Sequence, residues 1–468
     1  MTYRILAAIC AWFSREYHES RIITTFLRTG NGETVSGNSI LTRTWGAFHR
    51  AMCFIFEKLR LLKVFDGSIT RRSFFWCALA VTLAPILPTM AVAGLAFLAF
   101  ASVFIAFSCD RERKLVYSPI NWLLLLFAFI YVSATFTSVT FSGSLKGGLL
   151  TVLFVVFALI FENSVTTKKQ LDTAVILIVC AGFLVSAYGV YQYVFGVAGA
   201  ESWIDTDMFS GTGTRVYSTL QNPNVLSEYL LLVIPFAFAM FLAERRQGKK
   251  LLYLCAAGAM CLCMLLTLSR GGWLGLIFAA AVFIILLDGR FIFLGIAALI
   301  ALYFVLPESF IARFTSIGNL SDSSTSYRVA IWYGTLSMLK DYWFCGIGPG
   351  TAAFNLVYPL YSFSAAAAEH SHNLFLQITC DAGICGIAIF LATLFTYFRT
   401  TLSAMSRERD KKSRCLQAAA VAAIVGFLVQ GMADNAFYNY RVLLMFWVIL
   451  ITGMLVSRRT AMSEVGAG

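Results

Sequence analysis

Charged residues are scarce in this sequence of 468 residues. Only 13% of them are Asp, Glu, Lys or Arg, and 59% are hydrophobic. An average soluble domain has about 25% charged residues, and one soluble core could not bury so much apolar surface. Runs of roughly twenty apolar residues recur between Phe74 and Val456, and each can cross about 30 Å of hydrocarbon. The composition excludes an ordinary soluble protein and predicts an all-α integral membrane protein.

Metal-binding and secretion motifs are also missing. The 12 cysteines lie mostly in apolar runs and form no CxxC pair or Cys/His cluster with zinc spacing. We therefore interpret them as small core residues. The segment from Met1 to Phe13 has neither the apolar centre nor the cleavage site of a signal peptide, so we expect no cleavable signal peptide.

The apolar runs predict about twelve membrane-spanning helices within residues 73–457. Residues 307–371, between the ninth and tenth spans, are too polar to cross and predict a folded loop. Within this loop, Tyr327-Arg328 opens a predicted amphipathic helix that should end near Trp343, because glycines and a proline follow. The approximate spans are residues 73–89, 90–108, 119–139, 146–162, 171–195, 223–243, 251–268, 272–287, 290–306, 373–398, 416–433 and 441–457.

Residues 1–72 differ from the rest of the chain and form a basic extension. They hold 11 of the 36 Lys and Arg residues, and the polar stretch from Thr29 to Asn38 is typical of a linker. The segment from Trp45 to Phe65 predicts a basic amphipathic helix suited to an anionic membrane surface. A simple cytoplasmic extension is an equal alternative.

The distribution of positive charge predicts the orientation. With a cytoplasmic N-terminus, the inner segments hold 29 of the 36 Lys and Arg residues, and the outer segments hold seven. The positive-inside rule then predicts that both ends, including the tail 458–468, are cytoplasmic and that the loop 307–371 is outside. The seven outer charges oppose the general bias, so each needs its own explanation; they are Lys146, Arg215, Arg270, Arg313, Arg328, Lys340 and Arg441.

Two arginines lie next to predicted helix starts at the outer face. Arg215 precedes the turn Asn222-Pro223-Asn224, in which the proline suits a first helical position. Arg270 lies in the short connection between spans seven and eight, where a polar partner or a lipid phosphate would stabilise it. A surface arginine is the alternative for Arg215, and snorkelling to lipid phosphate is the alternative for Arg270.

Histidines are few, and two lie at the start of the tenth span. His370 and His372 are the only histidines outside residues 1–72. A helix that begins beside them favours a neutral imidazole, which can accept a proton. Two histidines alone do not complete a metal site, so we predict no metal there. A solvated helix cap is the alternative.

Arginines and a neutral histidine at one membrane face suggest a definite chemistry. Arginine binds phosphate in a bidentate manner, and a neutral imidazole can accept the proton of a hydroxyl. Arg328, in the outer loop, adds to this set. The combination is suited to glycosyl transfer from a lipid diphosphate without a metal or other cofactor, since arginines can balance the charge of the leaving group.

Five motifs in order resemble those of the O-antigen ligase/polymerase superfamily. They are R-x-x-S-T-x-x-N-P-N (Arg215 to Asn224), L-S-R-G-G-W-L-G (Leu268 to Gly275), Y-R-x-x-x-W (Tyr327 to Trp332) with G-I-G-P-G (Gly346 to Gly350), H-S-H-N-L-F-L-Q (His370 to Gln377) and A-G-I-C-G (Ala382 to Gly386). The resemblance covers roughly residues 74–457. It implies a GT-C-like membrane fold of about twelve helices with a large helical outer loop.

The resemblance also implies an activity and a site. The family's enzymes are inverting, metal-independent transferases that take a glycan from an undecaprenyl-diphosphate-linked donor at the outer face of the bacterial cytoplasmic membrane. By this resemblance His372 is the base, and Arg215 and Arg270 bind the diphosphate. The remaining positions implied to bind substrate or line the site are Asn222, Asn224, Arg328, His370, Asn373 and Asp434, the last of which we expect to orient an arginine.

Several alternatives stay open. A ligase would transfer a finished glycan to a glycan or lipid-linked acceptor, whereas a polymerase would join lipid-linked repeat units. A transporter of lipid-linked glycans is a third possibility, favoured by Glu228 and Asp381 within spans but opposed by the clustering of charge at one face. The expected partners are the donor, the acceptor and membrane lipids, without nucleic acid.

Overall fold

The structure is a computed structural model that describes residues 40–65, 72–197, 215–318, 323–363 and 366–465. All regular elements in these ranges are helices, which confirms the predicted all-α class. The predicted linker from Thr29 to Asn38 lies outside the described residues, as do most of the extension 1–72 and the end of the tail.

Seventeen α-helices are named here in chain order within the described ranges. They are α1 Ile40–Lys58, α2 Leu61–Phe65, α3 Ser73–Leu83, α4 Thr89–Ser108, α5 Asn121–Phe136, α6 Phe141–Ser164, α7 Lys168–Val194, α8 Pro223–Ala243, α9 Gln247–Leu266, α10 Arg270–Asp288, α11 Ile292–Val305, α12 Glu308–Thr315, α13 Ser323–Tyr342, α14 Thr351–Val357, α15 Leu374–Arg407, α16 Lys411–Gly431 and α17 Tyr440–Val465. Short 3₁₀ turns occur at Ser218–Leu220, Gly289–Phe291 and Tyr358–Leu360.

Nine helical segments in the described residues are long and apolar enough to cross a membrane, with α10 and α11 counted as one segment of 36 residues. Two further predicted spans are shorter, because α3 has 11 residues and α5 has 16. At 1.5 Å per residue these helices are only about 16 Å and 24 Å long. The chain is a multi-helix membrane protein, and the count of twelve crossings stays a prediction.

The predicted amphipathic helix near the N-terminus is divided in two. Arg60 has a positive φ of 54°, and this turn separates α1 from α2. On α1, the His49 Nε2 atom lies 2.8 Å from the main-chain oxygen of Phe107, at the end of α4. The helix therefore packs against the end of a membrane helix, while Phe48 and Phe54 remain exposed.

The centre of the bundle is formed by α8, α16 and α17, whose side chains are mostly buried. Helices α10 and α16 approach closely at Gly275 and Gly426. A Cβ atom at Gly426 would lie 2.8 Å from the Gly275 carbonyl oxygen, so small residues are required at this crossing. This packing brings the first turns of α8 and α10 beside the last turn of α16.

Helix α15 is broken at Gly383, where φ is 64°. The turn after α13 fills the break: the Ile384 N–H donates to the Trp343 carbonyl at 2.8 Å, and the Ile347 N–H donates to the Cys380 carbonyl at 2.6 Å. A side chain at Gly383 would collide with the Phe344 backbone. The glycine-rich motifs 346–350 and 382–386 therefore hold the outer loop against α15.

The regular elements that the structure describes in the loop 307–371 are helices, joined by turns. The loop contains α12, α13 and α14, and residues 319–322 and 364–365 lie outside the described ranges. Helix α13 ends at Tyr342, one residue from the predicted end at Trp343. The N-terminal half of α13 contacts His372, just before α15, through Tyr327 and Trp332, and it lines the cavity described next.

Candidate active site

A cavity of about 580 Å³ lies where the first turns of α8 and α10 and the segment before α15 meet the loop helices α12 and α13. We call it the arginine cavity. Eight of the nine predicted site residues line it, although they come from five separate parts of the sequence. Its polar lining includes Arg215, Asn222, Asn224, Glu228, Ser269, Arg270, Arg313, Tyr327, Arg328, His370, His372, Gln430, Asp434, Asn435 and Tyr438.

Asp434 lies at the centre of the hydrogen-bond network in this cavity. Its Oδ1 atom is 3.1 Å from His372 Nδ1 and accepts from the Asn435 N–H at 2.9 Å. Its Oδ2 atom accepts from Asn224 Nδ2 at 2.9 Å and lies 3.5 Å from an Arg328 nitrogen. Burial by itself would raise the pKa of Asp434, but the His372 hydrogen bond and the Arg328 charge outweigh it and hold the pKa below its usual range. Asp434 is therefore a carboxylate that touches both the histidine and the arginine.

His372 is held in one orientation from both sides. An ionised Asp434 can only accept a hydrogen bond, so Nδ1 is the donor; this assigns the neutral ring as the Nδ1–H tautomer and leaves the Nε2 lone pair available. The His372 carbonyl accepts from Trp332 Nε1 at 3.2 Å. Its φ of 48° is rare for a residue with a side chain. The backbone strain and the two hydrogen bonds fix the ring at the cavity wall.

His370 supports His372 and stays neutral. The two ring centroids are 4.1 Å apart, and the His372 N–H donates to His370 Nδ1 at 3.3 Å. Burial is the main cause that lowers the pKa of His370 to about 3, and the neighbouring His372 ring lowers it further. Tyr438 packs on the other side of the His370 ring, with centroids 4.7 Å apart.

Arg215 is buried beside the first turn of α8. Its Nε donates to the Thr267 carbonyl at 2.8 Å, and an Nη donates to Asn224 Oδ1 at 2.8 Å. Burial, reinforced by the charges of Arg313 and Arg328, lowers the pKa of Arg215 to about 9. The guanidinium therefore remains a cation at neutral pH, and Asn224 connects it to Asp434.

The first turns of α8 and α10 are capped by side chains and point their N-terminal ends at the cavity. Asn222 caps α8 and accepts from the Asn224 N–H at 2.8 Å. Ser269 caps α10, which begins at Arg270. The Arg270 guanidinium is buried and donates to Ser316 Oγ at 3.0 Å. Positive helix ends and arginines together make this cavity favourable for an anion.

Arg313 was missing from the predicted site. It is buried on α12 and lines the arginine cavity. Arg313 could have been selected from the sequence because it is one of the seven predicted outer charges. The short helix α12, which directs its side chain toward the cavity, was not predicted. Glu228, which we considered as a transporter feature, also lines this cavity, one helical turn below Asn224.

Asn373 differs from the other predicted residues. Its side chain caps α15 by accepting from the Phe375 and Leu376 N–H groups at 2.9 Å and 3.0 Å. Its amide also donates to the Met432 carbonyl at 2.8 Å. Asn373 does not line the arginine cavity, so its contacts hold the start of α15 beside the end of α16.

The other outer charges have separate environments. Arg441 is buried and donates to the Leu87 and Thr219 carbonyls, each at 3.2 Å. Lys146 lines a second, neighbouring cavity, and Lys340 is exposed on α13. Of the seven charges, the four arginines at 215, 270, 313 and 328 share one cavity.

One group of side chains in the described residues has the spacing of metal ligands. Each residue of this group offers one possible ligand atom, and the three atoms lie within 4.8 Å of one another; the residues are His370, His372 and Asp434. Three such ligands resemble the set of a catalytic zinc site. The same cavity contains four arginines, however, and Arg328 already contacts Asp434. Coulomb repulsion from these cations disfavours a divalent metal and favours an anionic ligand.

Comparison with known proteins finds a similarity to one family. Residues 255–391 match the family model described as O-Antigen ligase. The matched segment runs from α9 into α15 and includes Arg270, Arg313, Arg328 and His372. No curated protein matches the chain. The match supports the resemblance to the O-antigen ligase/polymerase superfamily over this part of the chain, which is less than a third of its length.

Proposed function

We propose that this protein transfers a glycan from an undecaprenyl-diphosphate-linked donor to an acceptor hydroxyl, with inversion at the anomeric carbon and without a metal. The observation that carries this proposal is the His372–Asp434 pair, 3.1 Å apart, at the wall of a cavity with four arginines. A base and an anion site are thus within one cavity, as direct glycosyl transfer requires.

The arginine cavity would bind the donor diphosphate. Arg215 and Arg270 are buried and held by carbonyl and hydroxyl groups of neighbouring segments, so they need little reorganisation when a ligand binds. A diphosphate carries several acceptor oxygens, and guanidinium groups bind such oxygens with two parallel donors. Arg313 and Arg328 would complete the neutralisation of the ligand charge.

His372 would act as the general base. The acceptor O–H proton moves to Nε2 while the acceptor oxygen forms a bond to the anomeric carbon of the donor. The bond from that carbon to the diphosphate oxygen breaks, and its electron pair leaves with undecaprenyl diphosphate. Asp434 stabilises the imidazolium that forms, as the carboxylate does in hydrolase triads, and the arginines stabilise the leaving charge. Attack opposite the leaving group inverts the anomeric centre.

We favour a ligase that transfers a finished glycan, working at the outer face of the bacterial cytoplasmic membrane with both termini inside. The distribution of 29 inner and seven outer positive charges supports this orientation. Polymerisation of lipid-linked repeat units is the second candidate, because the same base and diphosphate site would serve it.

A deletion strain distinguishes the two candidates. A ligase defect should leave full-length glycan on the lipid carrier, whereas a polymerase defect should leave single repeat units. Gel analysis of the lipid-linked glycan separates these patterns, and expression of the wild-type chain should reverse either one. A normal glycan profile in the deletion strain would contradict the proposed transfer.

A further inference from the structure

A second cavity of about 310 Å³ adjoins the arginine cavity. It lies between α6, α15, the start of α17 and the Gly346–Gly350 turn. His370, Asn435 and Tyr438 line both cavities and therefore form the wall between them. Any ligand in the second cavity is next to the histidine pair.

The second cavity differs chemically from the first. No arginine is among the described residues that line it; its charged side chains are Lys146, Glu369 and Asp381. Amides and tyrosines supply further donors and acceptors, including Gln377 and Tyr440. The exposed carboxylate of Glu369 would repel a diphosphate. Mixed donors and acceptors beside aromatic rings suit the hydroxyl groups and apolar faces of a sugar.

Asn435 provides an independent sign that this wall can bind a ligand. Its side chain is only 6% exposed, and its buried Oδ1 atom has no hydrogen-bond partner among the described residues. Leaving a buried amide oxygen without a partner costs about 1–3 kcal/mol. A hydroxyl donated by a ligand would satisfy it, directly beside Asp434.

The wall itself is held by side-chain contacts. The Tyr438 hydroxyl donates to Glu369 Oε2 at 3.1 Å, and the Tyr438 ring packs on His370. His370 in turn contacts His372. Contacts through Tyr438 and His370 thus connect Glu369, in the second cavity, to His372, in the arginine cavity.

We propose that the second cavity is the subsite for the acceptor glycan, and that Glu369, Asn435 and Lys146 bind its hydroxyl groups and direct one of them toward His372. This inference rests on the proposed glycan transfer. It divides the substrates by chemistry: the diphosphate of the donor occupies the arginine cavity, and the neutral sugar of the acceptor occupies the cavity with mixed polar groups.

The test measures KM separately for donor and acceptor with purified protein in lipid nanodiscs. The donor is radiolabelled undecaprenyl-diphosphate-linked glycan of the host strain. Two acceptors are compared: the host's core glycolipid and its undecaprenyl-diphosphate-linked single repeat unit. Glu369→Gln and Lys146→Met are suitable variants because both side chains are exposed. Glu308→Gln and Lys340→Met are matched controls, since they are also exposed and line neither cavity.

We expect each second-cavity variant to raise the KM of the active acceptor about ten-fold, as loss of a charged hydrogen bond predicts. The donor KM should change by less than about two-fold, and the control variants should match the wild type. An unchanged acceptor KM, or a rise in the donor KM instead, would overturn the acceptor subsite while leaving the transfer intact. A wild-type protein that transfers to neither acceptor would overturn the proposed function and this subsite together.

Discussion

His372 Nδ1 lies 3.1 Å from Asp434 Oδ1, although the two residues are 62 positions apart in the chain. The ends of α15 and α16 bring them together. Because the carboxylate accepts from Nδ1, the lone pair on Nε2 is left to accept a proton. This pair explains why a histidine with a strained backbone, φ 48°, is held beside four arginines.

Replacement of His372 by Ala should nearly abolish glycan transfer. Loss of a positioned base typically lowers a rate by about 10²- to 10⁴-fold. The rate is measured with labelled lipid-linked donor, and an immunoblot of membrane fractions checks insertion. Lys340→Met, an exposed substitution on α13, is the control. Wild-type turnover in His372→Ala would remove His372 from the mechanism.

Asp434→Asn should reduce kcat without large loss of the folded protein. The amide keeps the shape of the side chain but cannot stabilise an imidazolium, and it can impose the wrong tautomer on His372. We expect a decrease of about 10²- to 10⁴-fold. Because the two residues act as a unit, the double variant with His372→Ala should be no slower than His372→Ala alone. Additive losses would show that Asp434 acts independently.

Arg215→Lys should be severely impaired even though it keeps the charge. Arg215 uses separate nitrogens for the Thr267 carbonyl and Asn224 Oδ1, and a lysine has no planar fork to repeat this geometry. We expect a loss of at least about ten-fold in kcat/KM for the donor. Arg290→Lys is the matched control, because Arg290 is exposed and pairs locally with Asp288. Normal donor kinetics in Arg215→Lys would indicate a purely structural arginine.

The long apolar helices could be predicted from the sequence because membrane insertion depends on local composition. Helix α8 has the predicted limits, 223 and 243. The end of α3 at Leu83, six residues before the predicted 89, and the division between α1 and α2 at Arg60 were not predicted, since they depend on local turns. The break at Gly383 in α15 depends on the main chain of a distant turn, and a window of neighbouring residues contains no information about it.

The candidate site was largely predicted because unusual charge at the outer face is visible in the sequence. Arg215, Arg270 and Arg328 were selected in this way and share one cavity with His372. Arg313 carried the same signal, but its direction depends on the packing of α12. Asp434 was expected to orient an arginine; it contacts Arg328 at 3.5 Å and also His372. The contact between His372 and Asp434 joins residues 62 positions apart, so it could not be predicted without the folded structure.

The stability of the protein should fall at mildly acidic pH because of His370. Its pKa is lowered to about 3 in the folded state, whereas an unfolded histidine has a pKa of about 6.5. Between these values the unfolded state binds more protons, so the free energy of unfolding decreases as the pH falls below about 6.5. The loss from this residue is about 2 kcal/mol at pH 5.

Thermal unfolding in detergent at pH 7 and pH 5 measures this effect. His370→Gln keeps a polar side chain that does not titrate, so the decrease in Tm between the two pH values should be smaller than in the wild type. Equal decreases in both proteins would mean that His370 is not the group that takes up the proton.

Removal of divalent metal should leave glycan transfer unchanged. His370, His372 and Asp434 could be taken for metal ligands because their ligand atoms lie within 4.8 Å of one another. Asp434, however, already contacts Arg328, His372 and Asn224, and the four arginines of the cavity would repel a dication. Transfer is assayed after EDTA treatment and dialysis, with added Mg²⁺, Mn²⁺ or Zn²⁺ in parallel samples. We expect equal rates with and without EDTA, and inhibition by Zn²⁺ if it competes for His372. Activity lost in EDTA and restored by one of these ions would instead make the histidine–aspartate group a metal site and replace the general-base mechanism.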